Sequence, residues 1–490
     1  MMLIVDRTAA AGGSMSRRPV FLALASAGVA LAVISVPSLA VAAPGDPGAP
    51  RYSAGADGAG DPYFPLAGNG GTDVQHYDLA LDYAPPAPAP APLEGHLEAV
   101  ATIDLVATQD LDRFNLDLRG LTATAVTVNG KRSAFEQSAN ELVVTPRPKL
   151  KTGAEARVVV SYGGTTTRPT DIEDALYGWV TTRDGAMVVS EPDGSATWYP
   201  VNDHPTDKAT YTFEITVPEG LVAVANGVLT DTQTTAGTTT WSWNAPDPMA
   251  AYLSTASVGD YEIDEYVAAN GTPIFDAVDP TRLGAPTADL ALTSEMLVFF
   301  EGLYGPYPFV SYGAIVDDDS VGYALETQTR SFFSRNAREG TVAHELAHQW
   351  MGDHVSPERW ADIWLNEGWA TYSTWMWNEH RGRATANESF DDFMSTPADD
   401  PEWDFVVADP QPLGLFAGPV YDRGAATLHA LRVKIGDDAF FELAQAWVAR
   451  FGGATASTTD FADLAEEVSG EQLDAFFTAW VYTPEKPVDW

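Results

Sequence analysis

The sequence predicts an α+β protein in which an N-terminal β-sheet domain is followed by a mainly helical domain. Short runs with a period of two residues fill residues 74–261, and the period becomes helical after Pro280. The chain has 490 residues, 45% of them hydrophobic, and no cysteine. We therefore expect two or three domains with real cores, no disulfides, and any catalysis to depend on oxygen and imidazole groups.

The first 42 residues have the pattern of a secretory signal peptide. Arg17-Arg18 supply a positive flank, an apolar run extends from Val20 to Ala40, and Ala40-Val41-Ala42 has the small-x-small form of a cleavage site. The rival interpretation is an uncleaved anchor, because the run is nearly long enough to span a membrane. The small residues and Pro37 favour cleavage, so we expect a secreted protein without stable membrane association afterwards.

The next segment is a predicted linker, and the overall charge bears on the class of partner. Residues 43–72 are rich in Gly, Ala, Pro and Asp and predict a flexible linker. The net charge of −41 disfavours a nucleic-acid partner, because such a surface repels phosphates. A solvated face that keeps the protein in solution is the plainest explanation, although a preference for basic peptides or calcium sites at clusters such as 317–319 remains open.

Residues 73–261 predict the β-domain. Alternating runs occur at 76–83, 97–106 and 157–162, and again from Thr210 to Tyr261. Asn129-Gly130 is a hairpin signal, and the Pro-Ala repeat from Pro85 to Pro92 predicts an extended loop between the first two strands.

Residues 262–490 predict the helical domain. An apolar stripe at helical spacing extends from Ala285 to Tyr304 and stops at Gly305-Pro306. Further helices are predicted up to about Gly352, from about Trp360, and over 424–433, 438–450, 459–468 and 471–480.

A metal site is predicted in this domain at His344-Glu345-Leu346-Ala347-His348. In a helix, residues four apart lie on the same face, so both imidazoles point the same way with Glu345 beside them. Two neutral imidazoles suit zinc, which takes a third protein ligand at a catalytic site and leaves one position open for water. Glu367 lies 367 − 348 = 19 residues after the second histidine, and a second, antiparallel helix would bring it to the same metal. The sequence thus predicts one Zn²⁺ per chain on His344, His348 and Glu367.

The plainer alternative is a pair of surface histidines on an amphipathic helix. Trp350, Trp360, Trp364 and Trp369 flank the charged residues, so the histidines and glutamates lie among apolar side chains. Buried polar groups need partners, and a metal would satisfy three of them together.

The run from His344 to Trp350, together with Trp364 to Gly368, resembles the zinc signature of the aminopeptidase N-like gluzincins. These are zinc aminopeptidases, and the resemblance covers about residues 73–484. Four other stretches match in order: 191–209, the Tyr323-Ala324-Leu325-Glu326-Thr327 motif, Tyr421 to Ala425, and 300–309. Tyr323 and Thr327 depart from the family motif, which bears on the size of the first substrate pocket.

The resemblance implies an antiparallel, saddle-like β-domain on a thermolysin-like zinc domain. Larger members continue into a helical domain that caps the site, and this chain stops at Trp490, so we expect a more open site. In the implied mechanism, Glu345 is the general acid-base and Tyr421 donates a hydrogen bond to the oxyanion.

The family motif also implies how a free N-terminus is recognised. Glu326 and Glu191 would bind the α-amine of a peptide substrate, and Ala324 would contact the substrate. On spacing alone, Glu191 reads as a surface carboxylate before a proline turn and Tyr421 as a core aromatic. We assign no role to His354, Asp362 or Asn366.

Two alternatives remain open beside an aminopeptidase acting on peptides with a free N-terminus. One is a thermolysin-like endopeptidase. The other is a non-catalytic binding protein with structural zinc, which is disfavoured because a structural site normally has four protein ligands and only three are found here.

Overall fold

The computed structural model describes residues 52–318, 320–488 and 490. The predicted signal peptide and residues 43–51 of the predicted linker lie outside this part of the chain. Among the described residues, no helix is both long and apolar enough to cross a membrane.

The N-terminal domain consists of strands whose side chains alternate between buried and exposed, as the period of two predicts. In the strand from Thr72 to Ala84, for example, Val74, Tyr77, Leu79 and Leu81 point into the core. The strands are β1 (Ser53–Ala54), β2 (Thr72–Ala84), β3 (Gly95–Ala107), β4 (Leu111–Asp117), β5 (Thr122–Val128), β6 (Lys131–Arg132), β7 (Ala134–Gln137), β8 (Glu141–Thr145), β9 (Glu155–Thr166), β10 (Gly178–Thr181), β11 (Ala186–Val189), β12 (Lys208–Pro218), β13 (Val222–Ala225), β14 (Val228–Thr235), β15 (Thr238–Ala250) and β16 (Ala256–Gly259).

These strands form one large sheet and two small ones. The eight-stranded sheet has the order β14-β15-β12-β2-β3-β9-β5-β6, and the four-stranded sheets are β1-β4-β8-β7 and β10-β11-β16-β13. Asn129 and Gly130 turn the chain between β5 and β6 with φ of 50° and 73°, as the hairpin signal predicted. The large sheet is antiparallel except where β2 pairs with β12 in parallel, which the long connection between these strands permits.

The segment that precedes β2 is packed, whereas we expected a flexible linker over residues 43–72. Its described part, from residue 52 onward, contains β1, which pairs with β4. The Asp61 carboxylate is buried and accepts hydrogen bonds from the backbone amides of Tyr63, Phe64 and Trp360. The segment has few apolar residues, so its composition predicted a flexible linker. Three backbone amides bound by one carboxylate hold it in place instead, and composition does not reveal such bonds.

The second domain begins with a strand at Glu262 and becomes mainly helical. Its five-stranded sheet has the order β17-β18-β19-β21-β20, and its helices pack on one another beyond it. The elements are β17 (Glu262–Val267), β18 (Pro273–Val278), α1 (Thr293–Tyr304), β19 (Ala314–Asp317), β20 (Ala324–Leu325), β21 (Ser331–Ser334), α2 (Glu339–His348), β22 (Val355–Pro357), α3 (Trp364–His380), α4 (Ala386–Met394), α5 (Gly418–Ile435), α6 (Asp437–Phe451), β23 (Ala454–Ala456), α7 (Thr458–Ser469) and α8 (Asp474–Phe477).

Several helix boundaries differ from the prediction. Helix α1 begins at Thr293 rather than Ala285, because residues 288–292 form a 3₁₀ turn, and α5 begins at Gly418 rather than Gly424. The second metal-site helix, α3, begins at Trp364 rather than about Trp360, because residues 360–362 form a 3₁₀ turn whose first amide is bound by Asp61. The predicted helix over 471–480 is short: α8 is followed by a π-helical turn over Thr478–Tyr482.

The two domains meet along a contact that we call the domain seam. It is formed by Lys208, Asn226 and Gly227 of the β-domain and by residues 328–330 and 353 of the second domain. The Asn226 amide donates to Gln328 O at 2.6 Å, and Lys208 Nζ donates to Asp353 O at 2.8 Å. The fully buried Arg330 guanidinium donates to Gly227 O at 2.8 Å and, on its own side, to Phe275 O at 2.6 Å. The seam therefore ties the β-domain directly to the chain segments around the metal-site residues.

Candidate active site

The three predicted metal ligands converge at the crossing of α2 and α3. Nε2 of His344 lies 3.0 Å from Oε2 of Glu367, and Nε2 of His348 lies 3.4 Å from the same oxygen. The ligand atoms of the three residues all lie within 4.8 Å of one another, and all three side chains are buried. Ligands at about 2.0 Å from a tetrahedral zinc lie about 3.3 Å apart, so this donor set fits a zinc ion in both chemistry and spacing.

The backbone at the end of α2 fixes the orientation of one imidazole. His348 Nδ1 donates to Met351 O at 3.2 Å. The other ring nitrogen, Nε2, then carries no proton, and its lone pair lies on the side of Glu367. Gly352 follows with φ of 137°, and a Cβ there would lie 3.2 Å from His348 Nδ1. A residue without a side chain is therefore needed where the chain turns against the ring.

Two glycines let α3 and α5 approach at backbone distance. A Cβ on Gly368 would lie 2.9 Å from the carbonyl carbon of Gly424, and a Cβ on Gly424 would lie 2.9 Å from Gly368 Cα. Gly368 follows Glu367 directly, and Gly424 lies one helical turn after Tyr421. This contact brings the carboxylate and the phenol to the same cavity.

Tyr421 lies on α5 with its ring against the first metal ligand. The ring is 6.1 Å from the His344 imidazole, with an interplanar angle of 26°. Burial raises the pKa of Tyr421 well above its usual range, and the nearby carboxylates of Glu367 and Glu191 raise it further. The phenol thus keeps its proton and remains a hydrogen-bond donor.

The start of α5 is anchored by Arg423, two residues after Tyr421. Its buried guanidinium donates to six backbone carbonyls, and its Nη2–O distance to Thr483 is 2.6 Å. The acceptors are the carbonyls of Trp403, Phe405, Ala479, Trp480, Thr483 and Glu485.

Glu345 faces the same cavity and is buried. Its carboxylate oxygen, one of Glu326 and a ring nitrogen of His348 all lie within 4.8 Å of one another. Burial raises the pKa of Glu345 well above its usual range; His348 acts in the opposite direction, while Glu326 and Glu367 add to the rise. A raised pKa favours proton transfer to and from this carboxyl.

Glu326 and Glu191 reach the cavity from different domains. Glu326 follows β20 of the catalytic domain, whereas Glu191 follows β11 of the β-domain. Burial raises the pKa of Glu191 well above its usual range, and the charges of Glu326 and Glu367 raise it further. The three carboxyl groups are therefore close enough to interact electrostatically. In each of Glu191 and Glu326, Oε1 is buried without a hydrogen-bond partner among the described residues.

The other residues singled out from the sequence have structural contacts. Ala324 lies in β20 and is half-buried, and its strand pairs with β21. Asn366 donates to the Tyr252 hydroxyl at 3.4 Å, Asp362 accepts from Thr458, and the His354 ring packs edge-on against Phe309.

The site as a whole has more acidic than basic side chains. Four buried carboxyl groups, those of Glu191, Glu326, Glu345 and Glu367, lie close to two buried imidazoles. Buried charges of one sign are costly unless cations compensate them. A divalent metal at the histidines and an ammonium group near the unpartnered oxygens of Glu191 and Glu326 would supply that compensation.

Sequence reasoning did not single out Gln349, which is fully buried and bonded to Glu326 O at 3.0 Å. Its place directly after His348 was the one available signal.

Family models match most of the chain. The Peptidase M1 N-terminal domain matches residues 73–253, and the Peptidase family M1 domain matches residues 315–480.

Curated relatives include Aminopeptidase M1-D of Oryza sativa subsp. japonica, 24% identical over 77% of this chain and 45% of that protein. Leucyl aminopeptidase of Saccharolobus solfataricus is 24% identical over 77% of this chain and 50% of that protein. The chain thus spans about half the length of these relatives.

A solved M1 zinc metallopeptidase from Deinococcus radiodurans superposes with a TM-score of 0.79 at 31% identity, covering 88% of this chain and 99% of that one. A mutant of that protein bound to a Tyr-Ser-Ala substrate gives the same TM-score over 86% of this chain and 97% of the other.

Proposed function

Because the chain belongs to peptidase family M1, we propose that it is a zinc aminopeptidase that removes the N-terminal residue from peptides with a free α-amine. The observation that carries the proposal is the convergence, in one buried cavity, of a zinc-type triad with two carboxylates from different domains. The triad would bind the zinc ion that promotes hydrolysis. The carboxylate pair would bind the free α-amine and so restrict cleavage to the N-terminal residue. The Tyr-Ser-Ala peptide bound to the Deinococcus radiodurans relative supports a peptide as substrate.

His344, His348 and Glu367 would hold one zinc ion per chain. A bound zinc lowers the pKa of water from about 16 toward 7 and polarises a carbonyl group. Glu345, beside the two histidines, takes a proton from the attacking water and delivers it to the departing amine. Tyr421 donates a hydrogen bond to the carbonyl oxygen as that oxygen gains negative charge, and its raised pKa keeps the donor protonated.

Glu191 and Glu326 would bind the substrate ammonium group. Their buried Oε1 atoms lack partners among the described residues, and a charge-assisted hydrogen bond from an ammonium would satisfy both. Fixing the amine in this way places the first peptide bond, and no later one, over the metal ligands.

The decisive experiment compares amino-acid arylamides that have a free amine with their N-acylated counterparts. We expect kcat/KM to be higher for the free amine by about two orders of magnitude, since charge-assisted hydrogen bonds to it are lost on acylation. Equal rates would contradict the aminopeptidase proposal and indicate an endopeptidase of the thermolysin type.

Glu345→Gln tests the chemistry separately. The variant should keep its zinc, measured by atomic absorption, while kcat falls by about a thousandfold because the proton acceptor is lost. Glu358→Gln, an exposed residue outside the cavity, is the matched control and should leave kcat unchanged. Normal turnover in Glu345→Gln would remove the acid-base role.

We further infer that residues 1–42 direct secretion, on the basis of the charged, apolar and small-residue pattern of the sequence. The mass of the protein recovered from culture medium should correspond to a chain that begins at Ala43. Recovery of the uncleaved chain in membranes would favour the anchor instead.

A further inference from the structure

Gln349 occupies the position where the metal-site helix ends. It is the C-cap of α2, next to His348, and its side chain is fully buried. Neither the zinc ligation nor the acid-base chemistry uses it.

The Gln349 amide makes four hydrogen bonds. Its Nε2 donates to Glu326 O at 3.0 Å and to Asp353 Oδ2 at 2.7 Å. Its Oε1 accepts from the Thr329 backbone amide at 2.7 Å and from the Tyr307 hydroxyl at 3.3 Å. A backbone amide can only donate and a carbonyl can only accept, so these partners fix which end of the Gln349 amide points to the loop.

Two of the four bonds hold the loop that follows β20. Residues 326–329 connect the carboxylate proposed to bind the α-amine to the domain seam. Thr329 has φ of 66°, an unfavourable conformation for a β-branched residue, so the loop needs external restraints to keep it. One such restraint is the hydrogen bond from the Thr329 amide to Gln349 Oε1. Another is the hydrogen bond from Gly227 N to Thr329 Oγ1 at 2.7 Å.

The position of the Glu326 carboxylate depends on this backbone. Glu326 Oε1 has no protein partner among the described residues, so side-chain contacts do not fix that oxygen. The main-chain carbonyl of Glu326 is held by Gln349 Nε2, whose own backbone continues from the ligand His348.

We propose that Gln349 is a positioning residue that sets the distance between the metal ligands and the amine-binding carboxylate of Glu326, and so tunes the preference for a free N-terminus. This assignment depends on the proposed aminopeptidase function. It makes Gln349 the link through which the α2 helix, which carries two zinc ligands, also determines substrate recognition.

The test uses Gln349→Met, which keeps the side-chain length and removes all four hydrogen bonds. Gln137→Met is the matched control. Gln137 also bridges two main-chain groups, donating to Leu121 O at 2.7 Å and accepting from the Ala123 amide at 2.9 Å, but it lies in β7 of the β-domain.

We expect KM for a free-amine arylamide to rise about tenfold in Gln349→Met, with kcat changed less than about threefold and zinc content unchanged, since misplacing a binding group weakens binding before it affects chemistry. Gln137→Met should change neither KM nor kcat. A loss of zinc with a fall in kcat as large as the rise in KM in Gln349→Met would indicate a merely structural role and overturn the assignment.

Hydrogen exchange followed by mass spectrometry gives a readout that needs no activity. In the unmodified protein, the segment 326–330 should exchange as slowly as α2, and in Gln349→Met it alone should gain about one fast-exchanging amide, that of Thr329. Fast exchange of this segment already in the unmodified protein overturns the assignment.

The two proposals fail in different ways. If the unmodified protein cleaves free and N-acylated substrates equally, the aminopeptidase function fails and the role of Gln349 in amine recognition fails with it. If the unmodified protein prefers free amines and Gln349→Met retains the same KM, only the assignment of Gln349 is overturned.

Discussion

The proposed zinc triad and the proposed amine-binding carboxylates lie close together but are supported in different ways. The triad lies on α2 and α3, and α3 approaches α5 at backbone distance through Gly368 and Gly424. Glu191 and Glu326 follow short strands from two domains. The loop after β20 is held by a side-chain hydrogen bond from Gln349 of the same domain and by one from Asn226 across the seam.

This difference separates the two tasks of the site. Under the proposed function, helix packing would determine where the reaction takes place, and a change there should affect folding and metal binding together. Under the proposed function, loops at the domain seam would determine which substrate is accepted, and a change there should alter recognition while the metal site remains intact.

The largest effect is expected at the helix contact. In Gly368→Ala, the added Cβ would lie 2.9 Å from the Gly424 carbonyl carbon, so α3 and α5 must separate. We expect the free energy of unfolding to fall by about 3 kcal/mol and zinc affinity to fall with it, measured by denaturant titration and metal analysis.

Gly302→Ala in α1 is the control for that prediction, because an added Cβ there meets nothing within 4 Å. It should raise stability by about 0.5–1 kcal/mol. Full zinc binding and unchanged stability in Gly368→Ala would show that the two helices are not held at backbone distance.

A substitution at a proposed amine-binding carboxylate should leave the metal site intact and impair substrate recognition. Glu326→Ala removes a buried carboxylate whose Oε1 has no partner among the described residues, so we expect zinc to remain and thermal stability to rise. The value of kcat/KM for free-amine arylamides should fall by about a hundredfold, because a charge-assisted hydrogen bond is lost.

Steady-state kinetics beside a thermal melt of the same preparation checks the Glu326→Ala prediction. A variant that loses zinc, or one that loses stability without losing the preference for free amines, would contradict it.

The smallest effect is expected at Tyr323, where the chain departs from the family motif. Its hydroxyl donates to Leu176 O of the β-domain at 2.7 Å. Tyr323→Phe should lower the free energy of unfolding by about 1 kcal/mol and leave zinc content unchanged, since one hydrogen bond across the two domains is lost.

Tyr304→Phe is the counterpart within the catalytic domain, because the Tyr304 hydroxyl bonds to Ser373 Oγ at 2.6 Å. Its stability loss should be similar, but KM should change only in Tyr323→Phe. An equal change of KM in both variants would exclude a specific role for the bond to Leu176.

The sequence was sufficient for the triad because its geometry is local. His348 is the fourth residue after His344, and one helical turn converts that spacing into a shared face. Glu367 required only that a second helix return beside the first, and a start at Trp364 rather than about Trp360 still places it correctly.

The recognition side could not be derived in this way. Glu191 and Glu326 are 326 − 191 = 135 residues apart, and only the packing of two domains places them in one cavity. Family resemblance, and not spacing, pointed to Glu191. The contributions of Gln349 and of the Gly368–Gly424 contact depend on hydrogen-bond partners and helix distances that no local pattern encodes.

The packed segment ahead of β2 has a practical consequence for protein production. The matched family domain begins at residue 73, which makes that residue an obvious place to start a shortened recombinant form. Such a form would lack Asp61, leaving the Trp360 amide unbonded just ahead of the helix that carries Glu367, and it would uncover the face of Trp360 against which Phe64 packs. Expression from residue 52 or earlier keeps these contacts, so inactivity of a form begun at residue 73 should not be taken as evidence about the catalytic residues.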